Sequence, residues 1–277
     1  MRLAFVFALV GFGTKAGLAP MHSWLPEAHS QAPTPVSAVL SGVLLNCALY
    51  CLSRLLPLIE PTSPGWAFNV LIPFGILSVG VAAAFILHER DIKRLLAFSS
   101  VEHLGIITLG LGFGAPAAAL FHTLNHSVGK MLAFFCAGAL VQRYKTRDMT
   151  RMTETLREMP TVGAGFLLAL SALIGMPPFS ILMSELWIAR TGLENGHAVA
   201  VVLFFIGIAV VFIAAFRRAV EMTWSGKTAG EPNGVTRGLN IAMVAAPLLL
   251  LLLLGLWMPA VFRDFLERAA AVIGGAL

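Results

Sequence analysis

The stretch from Ala117 to Leu140 is apolar for long enough to span a bilayer, yet His122, His126 and Lys130 recur within it at four-residue intervals. On a helix this spacing sets the three side chains on one face, over about 12 Å of axis. An ammonium in hydrocarbon is costly unless it is paired, hydrated or deprotonated, so the stripe predicts a functional site. Two more charges interrupt apolar runs, Lys15 and Glu185. Each lies near prolines, which lack a backbone donor and clash with the preceding helical turn.

The remaining runs read as helices in order. Leu3 to Leu18, interrupted by Gly11, Gly13, Lys15 and Gly17, leads into Pro20. This predicts two half-helices with a break at membrane depth, the second around Met21 to His29. Pro35 to about Arg54 is the next span, with Ser41 and Asn46 inside it, followed by a proline-rich linker from Leu56 to Gly65. Trp66 to His88 is a clean span with an aromatic anchor. After a charged turn, Leu95 to Phe113 carries Ser99, Ser100, Glu102 and His103 in its first half and Gly105, Gly110 and Gly112 in its second. Small residues at that density permit close helix packing. Thr161 to Thr191 is again broken, at Gly175-Met176-Pro177-Pro178. His197 to Phe216 and Leu239 to Trp257 flank a polar loop from Arg217 to Gly238, and Phe262 to Leu277 reads as an amphipathic or interfacial helix. The sum is an all-α polytopic integral membrane protein of about eight transmembrane helices, two of them broken at mid-membrane.

Composition agrees: 58% of the 277 residues are apolar and 12% charged, far from a soluble domain. The net charge of +5 forms no basic patch with interleaved aromatics, which excludes a nucleic-acid surface. Instead the cations alternate between loops. Arg90, Lys93 and Arg94, then Arg143, Lys145, Arg147, Arg151 and Arg157, then Arg217, Arg218, Lys227 and Arg237 lie on one predicted side, while the linkers between have none. The positive-inside rule makes that side cytoplasmic and puts Met1 outside. A chain that starts there, inside an incomplete half-helix and without a leader, is expected to be N-terminally truncated. Cys47, Cys51 and Cys136 all lie in apolar spans with no CxxC pair, so no iron–sulfur or zinc site is expected.

The two breaks resemble each other. Pro20-Met21-His22-Ser23-Trp24-Leu25 and Pro177-Pro178-Phe179-Ser180-Ile181-Leu182 share P-x-x-S-x-L after a small-residue turn. Paired broken helices in corresponding positions point to a transporter's ion site. The chain then divides into residues 1–55, the remnant of a first repeat; 56–224, a second repeat; and 225–277, a loop, the last span and the amphipathic segment.

Each candidate has a structural alternative. Lys15 is too deep for easy snorkelling, and a nearby carboxylate could load or unload its proton. His122 and His126 suit a proton relay, a packing hydrogen bond, or haem or metal ligation. Glu185 follows the Pro-Pro break, where it either serves transport or pairs with a cation. Glu102 and His103 read equally as an interfacial helix end or a proton-uptake point. Asn46 and Ser41 are helix glue or polar stepping stones, and His22, Glu27 and His29 are expected to be solvated at the cytoplasmic side.

Gly13-Thr14-Lys15-Ala16-Gly17-Leu18-Ala19-Pro20-Met21-His22-Ser23-Trp24-Leu25-Pro26-Glu27-Ala28, with Pro33-Thr34-Pro35-Val36-Ser37, resembles the broken-helix signature of the antiporter-like subunits. These occur in respiratory complex I, Mrp-type cation/proton antiporters and membrane-bound nickel–iron hydrogenases. Asp91-Ile92-Lys93-Arg94-Leu95-Leu96-Ala97-Phe98-Ser99-Ser100 and His122-Thr123-Leu124-Asn125-His126-Ser127-Val128-Gly129-Lys130 resemble the same family's second block. Ser99-Ser100-Val101-Glu102 is most similar to the hydrogenase-4 component F, formate hydrogenlyase type. The resemblance implies an inverted-repeat, antiporter-like architecture. It also implies that Lys15 is the channel lysine of the first half, Lys130 the central lysine of the second and Glu185 the terminal group, with His122 and His126 as relay positions. Two departures stand out. Asn46 and Ser41 occupy the span where some relatives carry lysine or histidine, and the glutamate that pairs with the channel lysine has no counterpart.

The expected function is proton translocation in a bacterial cytoplasmic membrane, as a non-catalytic subunit of a hydrogenase or complex I-like oxidoreductase. The proton path is Lys15, Lys130, Glu185, His122, His126 and Glu102. The chain itself is expected to hold no cofactor. Its partners are the other membrane and peripheral subunits, the bilayer, and protons, with sodium the other candidate ion. The rivals are an Mrp-type antiporter subunit without redox chemistry, a haem-bearing electron carrier and a passive scaffold.

Overall fold

Glycine and proline decide where the helices stop. The computed structural model describes the backbone of residues 1–224 and 237–274, and side chains outside 237–240 within those ranges. Helix α1 (Arg2–Ala16) ends at Gly17, whose left-handed backbone (φ 78) lets its own N–H bond Thr14 O and the Leu18 N–H bond Gly13 O. Helix α2 (Trp24–Gln31) resumes beyond Pro20, and Trp24 Nε1 donates back to Thr14 O at 2.7 Å across the break. This paired closure of the last turn is the Schellman arrangement, which needs a residue that tolerates positive φ.

The next helix is less regular than its sequence suggests. Helix α3 (Thr34–Val39) passes through a π-helical turn (Leu40–Leu44) into α4 (Leu45–Ser53). The linker that follows contains the short helix α5 (Leu56–Ile59) and a 3₁₀ turn (Glu60–Thr62). Then come α6 (Trp66–Ile86), α7 (Ile92–Gly112) and α8 (Pro116–Tyr144). Asp91 caps α7, its carboxylate accepting the Lys93 and Arg94 amides at 2.8 and 3.2 Å.

The polar stretch after α8 holds the one-turn helix α9 (Thr155–Glu158), and α10 (Pro160–Leu173) and α11 (Ser180–Glu194) form the second broken element. Its break repeats the first: Gly175 has φ 71, its N–H bonds Ala172 O, and the Met176 N–H bonds Ser171 O. Helix α12 (Ala198–Trp224) outruns the span expected to end at Phe216. The rest of the predicted polar loop, 225–236, lies outside the described residues. Helices α13 (Arg237–Leu256) and α14 (Ala260–Gly274) follow, meeting at a bend of 86°.

Among the described residues, five helical stretches are long and apolar enough to cross a membrane, and a sixth if the bent pair counts as one span. The halves of the two broken elements are individually too short for that test, which separates this number from the eight expected. The chain is an all-helical multi-pass membrane protein.

Helix α7 is its axis, buried at every residue from Leu95 to Phe113. Its small residues allow this. A Cβ on Gly105 would lie 2.8 Å from Ser78 Cβ and 2.9 Å from Gly75 O, so α6 and α7 touch through bare backbone. At the charged end, the loop after α8 is tied to the start of α7. The Ile92 N–H bonds Arg147 O at 3.0 Å, the Met149 N–H bonds Arg90 O at 2.8 Å, and Arg94 bridges Glu89 and Glu27.

Candidate functional site

The stripe on α8 faces inward against α7 and α11. His122, His126 and Lys130 are all fully buried. Lys130 Nζ donates to Leu96 O on α7 at 2.8 Å. His122 is held on both sides, with Nε2 at 3.0 Å from His103 Nδ1 and Nδ1 at 2.9 Å from Ser184 Oγ. The His103 ring lies 5.1 Å, centroid to centroid, from both His122 and His126. Three imidazoles from two helices therefore form one cluster.

Two carboxyls complete it. Glu102 on α7 is 3% exposed and lies within electrostatic range of Lys130 and of Glu185. Glu185 on α11, likewise buried, rests against the break, where a Cβ at Gly175 would collide with its Oε2. Two carboxyls and one amine thus share a buried volume, so moving one proton alters the cost of charging the others. Glu102 Oε2, His103 Nε2 and His126 Nε2 have no hydrogen-bond partner among the described residues. Buried polar atoms normally find one, often an ordered water.

The cluster contains Lys130, Glu102, Glu185, His122 and His126 of the expected set, and Lys15 stands apart. Lys15 is exposed, on a face of α1 shared with Ala4, Ala8 and Gly11, and makes no hydrogen bond or ion pair to any described residue. Glu102 and His103 are both buried inside the bundle.

Asn46 donates to Gly42 O and to Ser127 Oγ at 2.9 Å, with His126 Nδ1 3.5 Å away. Ser41 Oγ meets Ser100 Oγ at 2.8 Å. The expectation of solvation holds for Glu27, exposed and paired with Arg94, and fails for His29. His29 is fully buried because its ring stacks on Phe134, with centroids 5.2 Å apart. Sequence reasoning also passed over Ser184, which fixes His122 from a different helix; a serine directly before a buried glutamate was the only local signal.

Residues 1–211 match the family of the NADH:quinone oxidoreductase/Mrp antiporter membrane subunits. The chain belongs to this family. Among its antiporter-like relatives, the hydrogenase-4 component F homolog of Methylacidiphilum infernorum is 34% identical over 280 residues, covering 99% of this chain and 57% of the relative. Among solved structures, the membrane-bound sulfane sulfur reductase, an archaeal respiratory membrane complex, superposes with a TM-score of 0.88 at 26% identity, covering 96% of this chain and 55% of the other. The Mrp complex from Dietzia sp. DQ12-45-1b gives 0.87 at 20% identity, covering 99% and 59%, a likeness of fold. The chain spans little more than half the length of these antiporter-like relatives.

Proposed function

We propose that the chain is a proton-translocating membrane subunit of a redox-driven complex of the hydrogenase or complex I type, in a bacterial cytoplasmic membrane. The observation that carries this reading is the buried set of Lys130, Glu102, Glu185 and three histidines inside the bundle. Ionisable groups at such depth are expensive and are kept where ions or protons pass.

In this reading Lys130 is the central proton store. Its fully buried amine has one fixed acceptor, Leu96 O, and one carboxyl, Glu102, in electrostatic range. His122, His126 and His103 hand protons along α8 and α7, with water bridging the unpartnered nitrogens. Glu185 ends the row at the break, where freed backbone groups can be rehydrated. Electron transfer in a partner subunit would shift charge near one end, and the coupled groups would answer along the row. Counting each broken helix as one crossing gives eight spans. The alike Schellman turns at Gly17 and Gly175 support two repeats, 1–55 and 56–224. Small residues beside Lys15 suit a close helix contact, and a neighbour laid there would enclose its ammonium.

The test is Lys130→Ala in the assembled complex, with acidification of inverted membrane vesicles followed by a pH-sensitive dye. Loss of acidification at normal assembly is the expected outcome, and undiminished acidification would leave the chain a scaffold. Acidification that needs sodium but no electron donor would instead favour the Mrp-type antiporter.

A further inference from the structure

His29 lies outside the row just described, and its surroundings are those of a link rather than a packing residue. It is fully buried on α2, and neither Nδ1 nor Nε2 has a hydrogen-bond partner among the described residues. Buried polar atoms normally find a partner, often an ordered water, so two unpartnered ring nitrogens mark a place for water beside the ring.

Its position is fixed from three sides. Lys93 Nζ, itself buried, donates to Ser30 O at 3.2 Å and to Ala32 O, the carbonyls just beyond His29. Leu96, whose carbonyl takes the Lys130 ammonium, lies three residues along α7 from Lys93, an axial step of about 4.5 Å. Phe134, under the His29 ring, is one turn beyond Lys130 on α8. The imidazole thus lies within electrostatic range of two buried amines, those of Lys93 and Lys130. The charged and titratable groups around it are Lys93 from α7 and Lys130 and His126 from α8. On its outer side Ser30 bonds Asp91 Oδ2 and Arg147, in the ion-paired cluster at the cation-rich loops.

We propose that His29 is the relay through which protons pass between that loop cluster and Lys130. A proton taken on one ring nitrogen gives an imidazolium, and release from the other nitrogen returns the neutral ring. The step needs no redox partner. The proposal rests on the reading of Lys130 as a proton store.

Two measurements on the assembled complex test it. His29→Phe keeps an aromatic ring on Phe134 but cannot carry a proton. Vesicle acidification should fall at least about tenfold, as for loss of an acid–base group. Acidification within twofold of the parent in an assembled His29→Phe complex overturns the proposal. If it persists while Lys130→Ala abolishes it, only the His29 link fails; if both variants pump normally, the underlying reading fails as well.

The second measurement needs no substitution and decides the matter should the variant fail to assemble. Exchange of the His29 ring C2 hydrogen with deuterated water, read by mass spectrometry against exposed His88, reports whether water and protons reach the ring. Exchange detectable over the time in which His88 exchanges fully is expected for a ring in proton contact, and no detectable exchange marks a dry packing residue and overturns the proposal.

Discussion

Gly175→Ala, compared with Gly17→Ala, separates the cost of a helix break from the placement of Glu185. Both glycines close Schellman turns with positive φ, 71 and 78. An L-residue held there pays about 1–2 kcal/mol, and the alanine recovers about 0.4–1 kcal/mol by restricting the unfolded chain. Each variant should therefore lose about 1 kcal/mol of stability from the backbone alone.

The new methyl groups meet different neighbours. At Gly17 the Cβ lies 3.0 Å from Leu25 Cδ2, the end of a flexible apolar side chain that can turn away. At Gly175 it runs into Glu185 Oε2, and the buried carboxyl must move. A displacement on the order of 1 Å can cost a reacting group up to a hundredfold in rate. Thermal unfolding in detergent should show both variants lowered by a similar few degrees. Vesicle acidification should stay near the parental rate for Gly17→Ala and drop by about tenfold or more for Gly175→Ala. Equal acidification by the two at equal stability would refute the argument that the break glycine holds the carboxyl in place.

Two other substitutions probe the packing around the site. Ser184→Ala takes away the partner of His122 Nδ1 and should cost about 1–3 kcal/mol by leaving a buried nitrogen unmet, read as a lowered unfolding temperature that Ser184→Thr largely restores. Gly105→Val pushes a branched side chain into Ser78 and the Gly75 carbonyl, so α6 and α7 must separate; a loss of about 1–3 kcal/mol or more, with reduced assembly on native gels, is expected.

The broken helices were legible because proline and glycine act locally: a missing donor at Pro20 or Pro178, or a positive φ at Gly17 or Gly175, needs no tertiary context. The α8 stripe was legible because four-residue spacing maps onto one face, and that face is inward. What could not be read was which groups on other elements meet it. Glu102 and His103 lie near a charged turn in sequence, yet α7 is the axis of the bundle and every neighbour buries them. His29 lies two residues after the exposed Glu27, and its stacking on Phe134, far along the chain, could not be read from that neighbourhood. Lys15 differs in the opposite direction, being exposed among the described residues. The apolar run around it says it lies at depth, but not whether the chain itself supplies the helix that would cover it.

The π turn at Leu40–Leu44 has a further consequence for Asn46. Five residues close a loop of helix where four normally would, and Gly42 O there accepts from both Asn46 and Ser127. One surplus residue advances everything downstream by about 100° around the axis. The amide near His126 is therefore chosen by a wide loop of backbone upstream of it, and shortening that loop by a single residue would swing a different side chain into the same position without altering any group that handles a proton.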